Sequence, residues 1–207
     1  MGWSAVLLKV SDQPKRQQRE AKVLGVAGME FLEDFEYVLY HDSHRGPRVH
    51  ATLWPGPEQD WRCWLHKMIS DTMQPLLRKE VDIVYFGHPD RNSTAKEFLA
   101  IAAKKLCTKD SLQTALQLHT RLGYPDNMGL SETAVLARRW SSSSLQRSMR
   151  EWWMAMVDTD CMRDQLNFEF ALWKSKVKYR RMPSLDFPFI KLHAHDDPNK
   201  IRFRVTA

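Results

Sequence analysis

The chain has 207 residues, 43% of them hydrophobic, enough to bury one sizeable core. A single α/β domain over residues 1–207 is the default, with 181–207 as a Pro-containing tail. The formal net charge of +6 and the pI of about 9.3 suit an anionic ligand, but the basic residues are dispersed among Asp and Glu. That dispersal argues against a nucleic-acid arm, so a basic nucleic-acid-binding protein is the weakest of the function classes.

Ala5 to Val10 is a short apolar run that reads as a buried strand, ended by Ser11-Asp12-Gln13-Pro14. It is too short for a signal peptide or a membrane span, so no span is expected. Met1-Gly2 lacks the sixth-position Ser or Thr of an acylation signal, because Val6 stands there. Phe35 to Tyr40 predicts a second strand, and His41-Asp42-Ser43 follows at its carboxyl end. Ligands of open α/β sheets bind outside such ends, which places Asp42 to meet a ribose or base; the same residues also make an ordinary solvated turn. Trp54-Pro55-Gly56-Pro57 is a loop, and the periodicity of Trp61 to Lys67 decides between neither strand nor helix.

A short helix is expected from about Ser70 to Lys79, then the clearest strand, Val81 to Phe86. His88-Pro89-Asp90-Arg91 follows that strand, and Ser93 or Thr94 can cap a helix running to about Leu106. Asp110 to Leu122 reads as an amphipathic helix stopped by Gly123. Gly129-Leu130-Ser131-Glu132 leads into a strand from Thr133 to Arg139, and Ser141 to Ser144 reads as a connector. Arg150 to Lys176 reads as two apolar helical segments joined by an acidic elbow, with Asp160 as the cap between them. Ile201 to Val205 alternates as an edge strand would. The cysteines, Cys63, Cys107 and Cys161, show no metal-finger spacing and imply no disulfide framework, so a reducing, cytoplasmic setting is expected.

Three stretches carry chemistry. Backbone N–H groups at the helix start after His88, together with Arg91, favour an anionic oxygen, and His88 can move a proton near neutral pH. The competing assignment has Arg91 paired with Glu97 or Asp90 in solvent. Arg163-Asp164-Gln165 offers a cation, a carboxylate and an amide; Asp164 can orient a sugar hydroxyl, act as a base, or clamp an arginine. Glu132 is either a strand-entry turn residue or an acceptor-facing carboxylate. A hard divalent ion would find oxygen ligands at Asp158-Thr159-Asp160, or oxygen and nitrogen ligands at His193, His195, Asp196 and Asp197. No nucleophile elbow or cysteine triad is present.

Taken in order, Tyr40-His41-Asp42, His88-Pro89-Asp90-Arg91, Gly129-Leu130-Ser131-Glu132, and Trp152-Trp153 followed by Arg163-Asp164-Gln165-Leu166-Asn167-Phe168 form a set. From about Val6 to Lys178 the chain resembles the glycosyltransferase-like domain family of the plant mucilage-related and pollen turgor-regulation proteins, which also has bacterial and viral members. The resemblance implies a Rossmann-like GT-A fold, a mostly parallel sheet with helices on both faces. It implies a nucleotide-diphospho-sugar donor, a glycan or other hydroxyl acceptor, and a divalent metal, manganese being the expected one. Asp164, Glu132 and His88 would be catalytic, and Asp42, Arg91, Arg163 and Gln165 would bind substrate. Where the family carries an aromatic-apolar-Asp stretch, this chain has Trp64-Leu65-His66-Lys67. Either His66 is a nitrogen ligand, or the metal is held elsewhere, or the domain is a catalytically inactive sugar- or nucleotide-binding relative.

Overall fold

The computed structural model describes residues 32, 34–41 and 69–183. Four strands, β1 (Tyr37–His41), β2 (Ile83–Gly87), β3 (Ser131–Arg139) and β4 (Tyr179–Met182), form one sheet in the order β1-β3-β2-β4. The helices are α1 (residues 69–77), α2 (Thr94–Ala103), α3 (Lys109–Arg121), α4 (Ser143–Asp158) and α5 (Asp164–Ser175), with a 3-10 turn at Asp126–Met128. The fold is α/β.

Among the described residues the sheet is mixed, not mostly parallel as expected. β3 runs against both its neighbours, β1 and β2, and only β2 and β4 pair in parallel. The chain leaves β2, makes α2 and α3, and returns beside β2 in the opposite sense. β3 is the central strand of this arrangement, and its residues from Ser131 to Arg138 are all buried.

Helices do cover both faces, because strand side chains alternate. Ile83, Tyr85, Leu136, Val38 and Tyr40 pack under Leu145, Met149, Trp152 and Met156 of α4 and Phe168, Ala171 and Leu172 of α5. The intervening residues, Val84, Ala137, Tyr37 and Leu39, pack on Met73 and Leu76 of α1. Burying any one of these large side chains stabilises the fold by roughly 1.5–3 kcal/mol.

Several local expectations change. α4 starts at Ser143, inside the four-serine stretch, because Ser142 accepts a hydrogen bond from the Leu145 amide at 3.4 Å and so caps it. Asp160 is not the cap of α5; it sits in the left-handed region at φ 48°, and Arg163 occupies the N-cap position without a side-chain cap. Tyr179–Met182, assigned to the tail and its approach, is strand β4, paired along β2 with the Tyr179 ring 5.7 Å from Tyr85. Cys107 and Cys161 form a disulfide with their Cα atoms 5.5 Å apart, against the expectation of no disulfide. Fifty-four positions separate them in sequence, and they meet only where the α2–α3 connection packs on the α4–α5 elbow beside Ile101, Ala115 and Leu166. The strand expected at Ala5–Val10, the edge strand at 201–205 and the Trp54 loop lie outside the described residues. Among the described residues no helix is long and apolar enough to cross a membrane.

Candidate functional site

One edge of the sheet collects most of the residues singled out above. β1 and β2 both oppose β3, and β4 follows β2. The carboxyl ends of β1, β2 and β4 therefore share an edge with the amino end of β3. Glu132 lies opposite Phe86, and Ser131 opposite Gly87. The β2–β3 register jumps there, from Tyr85 opposite Leu136 to Phe86 opposite Glu132, so Thr133 to Val135 bulge away from β2. A bulge re-aims the side chains around it. Thr133 consequently reaches α5, its hydroxyl donating to Asp164 Oδ2 at 2.8 Å.

Asp164 opens α5, where the helix presents its positive end to a carboxylate. Its backbone oxygen accepts from the buried Trp152 indole at 2.9 Å, which fixes the start of α5 against α4. Arg163 precedes it and lies within weak hydrogen-bond reach of Gln165, at 3.5 Å. Gln165 is buried.

Across the edge, the turn after β2 is closed by the His88 ring. Nδ1 accepts from the amides of Asp90 at 3.0 Å and Arg91 at 3.2 Å. Two donors into Nδ1 assign the ring proton to Nε2. Nε2 lies 2.7 Å from an Arg91 Nη2, which is itself only a donor. The His88 ring thus ties the turn after β2 to the Arg91 guanidinium.

The pairing of Arg91 with Glu97 does form, at 2.6 Å, but not in solvent: Glu97 is 1% exposed. Burial raises the proton affinity of Glu97, Arg91 and Arg163 pull it back down, and the Asp164 carboxylate adds to the rise. These couplings bring Arg91, Glu97, Arg163 and Asp164 into one electrostatic group. Glu97 was named only as a solvent partner; the signal that it is more was a carboxylate on the buried face of α2, one step from Thr94 and Ile101. Thr133 carried no such signal, because its role depends on the bulge.

His88, Arg91, Glu132, Arg163, Asp164 and Gln165 are therefore near one edge, whereas Asp42, His66, His193, His195 and Asp196 lie outside the described residues. Among the described residues no three His, Cys, Asp or Glu side chains come together to hold a metal, so Asp158 and Asp160 make no such centre with their described neighbours. No family model, curated protein or solved structure matches the chain.

Proposed function

We propose that the chain is a glycosyltransferase that moves a sugar from a nucleoside-diphosphate donor to a hydroxyl acceptor. The observation that carries it is the gathering, at one sheet edge, of the Arg91 and Arg163 guanidiniums with the carboxylate of Asp164. The guanidiniums suit a diphosphate oxygen, and the carboxylates suit a hydroxyl that must lose its proton. In the transfer, the acceptor oxygen bonds to the anomeric carbon while the bond from that carbon to the diphosphate oxygen breaks. The hydroxyl proton passes to Asp164 or Glu132, and the diphosphate keeps the electron pair. Two guanidiniums, Arg91 and Arg163, already meet the carboxylates of Glu97 and Asp164 at this edge, so a diphosphate calls for added positive charge. Manganese remains part of the proposal, with His66, His193, His195 and Asp196 as ligand candidates.

Nucleoside-diphosphate release from a panel of nucleotide sugars, with manganese present, tests the assignment. Asp164→Asn should lower turnover by about 10²–10⁴-fold if its carboxylate moves the proton. No release from any donor, combined with binding of the free diphosphates, would instead establish a sugar- or nucleotide-binding relative without transfer. The engagement of Arg91 by Glu97 is what favours that second reading.

A further inference from the structure

Gly129 has a positive φ of 89°, and a Cβ built on it would overlap the Arg181 guanidinium. The positive φ favours glycine at this position, and a side chain here would displace the guanidinium. Arg181 lies on β4, opposite Tyr85 of β2, and its stem runs beside Gly87. Its Nη2 donates to the Met128 carbonyl, immediately before Gly129. Its Nε lies 3.4 Å from Glu169 Oε1 on α5, and Glu169 Oε2 accepts from the Tyr85 hydroxyl at 2.9 Å. Glu169 is only 1% exposed. One guanidinium therefore joins β4, α5 and the turn that feeds β3. That turn delivers Leu130, whose carbonyl accepts from the His88 amide at 2.9 Å, and then Ser131 and Glu132.

We infer that Arg181 is a positioning residue for the sheet-edge site: anchored on Glu169, it clamps the Met128–Gly129 turn and fixes where Ser131 and Glu132 enter β3. The role as a positioner of a ligand site rests on the transferase reading; the clamp itself does not. Lysine could not replace it, because an ammonium has no rigid fork to hold a carboxylate and a carbonyl together. Burial raises the proton affinity of Glu169 to about 7, with Arg181 and Tyr85 pulling it back down. Arg181 is held more firmly as a cation, since Glu169 and Tyr85 outweigh the effect of its burial. Tyr124 feels the charges of both Glu169 and Arg181 from the segment after α3.

The test combines backbone-amide exchange of the full chain without ligand and affinity for uridine diphosphate with manganese. Arg181→Met should speed exchange at least tenfold over Leu130 to Thr133 while α4 stays within twofold of wild type, and should weaken uridine diphosphate at least fivefold. Gly129→Ala, which pushes against the guanidinium from the other side, should give the same local pattern. Unchanged protection over Leu130 to Thr133, or loosening spread equally over α4, overturns the clamp. Local loosening with unchanged uridine diphosphate affinity overturns the positioning role. Should Arg181→Met not fold, Glu169→Gln is judged by the same criteria. A wild-type chain that binds no nucleoside diphosphate, yet loosens locally in the variants, supports the clamp and removes the transferase reading.

Discussion

The two ends of the β2–β3 pair are both charged, but their charges are answered differently. Where β2 begins and β3 finishes, Asp82 is buried and both its carboxylate oxygens are satisfied, one by Arg139 and the other by Ser144 at 3.2 Å. Its own amide and carbonyl pair with Lys178 and Arg139. At the other end buried Ser131 Oγ and Arg163 Nε have no hydrogen-bond partner among the described residues. Buried polar groups are nearly always paired, so an atom left open marks a place where something else can bind; Arg139 Nε is open at the first end too, and it is the Asp82 carboxylate that is closed there. The Asp82 pairs hold the sheet together; Ser131 Oγ and Arg163 Nε are open polar atoms at the other end among the described residues.

The sharpest way to break that contrast is to cut the closed end. Asp82→Ala strands the Arg139 charge and leaves Ser144 with Ser142 alone. Loss of one member of a buried pair costs about 3–5 kcal/mol, and the partial exposure of Arg139 puts the expected loss at the lower bound. Thermal unfolding should show it, with uridine diphosphate binding unchanged in the protein that remains folded. Equal loss of stability and binding would erase the distinction between the ends.

Reduction of Cys107–Cys161 comes next. The bond ties the α2–α3 connection to the elbow before Arg163 and Asp164. Cross-links of this loop size stabilise by about 2–4 kcal/mol. Unfolding with and without reductant, alongside the Cys107→Ser variant, measures it. The variant should match the reduced wild type and be indifferent to reductant; a reductant-sensitive variant would place the effect elsewhere.

What could be read from the sequence divides along the same line as the two ends. The elements were legible where the signal is local: the β-branched run around Ile83, the Ser93 cap, the 3.6-residue stripe through Trp152 and Met156, and Gly123 closing α3 in the left-handed region. His88, Arg91 and Asp164 stood out because each sits at an element boundary, but the amides expected to be free after β2 are taken, that of His88 by the Leu130 carbonyl and those of Asp90 and Arg91 by the His88 ring. What was not legible depends on distant partners. The sense of β3 depends on the path taken through α2 and α3, and β4 is short, polar and exposed in half its length, a strand only because β2 is beside it. The disulfide needed two helical corners to meet, and the burial of Glu97 needed α2 packed against the start of α5.

The open end can be probed directly with Arg91→Gln. The amide keeps a donor but loses the charge. A charge-assisted hydrogen bond contributes about 1.5–3 kcal/mol, so nucleoside-diphosphate affinity should fall about ten- to a hundredfold. Glu97, left without Arg91, sits where burial already favours its neutral form, so it can protonate rather than remain a stranded charge. The stability loss should therefore be smaller than for Asp82→Ala. If Arg91→Gln costs more stability than Asp82→Ala and leaves affinity intact, Arg91 belongs with the structural pairs.

His119 stands between the two cases and gives the smallest effect. It is buried on α3, stacked on Phe170 at 4.6 Å and edge-on to Tyr124, and its Nε2 meets Asn167 Oδ1 of the site helix at 3.0 Å. Its Nδ1 and the Asn167 amide nitrogen have no hydrogen-bond partner among the described residues, so this pair is half closed. Burial lowers the proton affinity of the ring, with Asn167 pulling the other way. The unfolded chain therefore takes up a proton below the ordinary histidine range, near 6.5, while the folded chain does not. The stability that His119 contributes is full above that value and is lost as pH falls toward the lowered folded value, by at most about 1.4 kcal/mol per pH unit. Glu169 acts in the opposite sense: folding raises its proton affinity, so its contribution is greatest at low pH and falls as pH rises from its ordinary value to about 7. The two partly cancel in the wild type, and only the difference between wild type and His119→Gln isolates the ring. That difference should narrow from pH 7 to pH 5.5, as wild type loses the neutral-histidine advantage and the glutamine variant does not. A difference that stays constant over this range would mean that His119 takes up its proton alike in the folded and unfolded chains, and one that widens toward low pH would mean that folding holds the ring charged beside an anion.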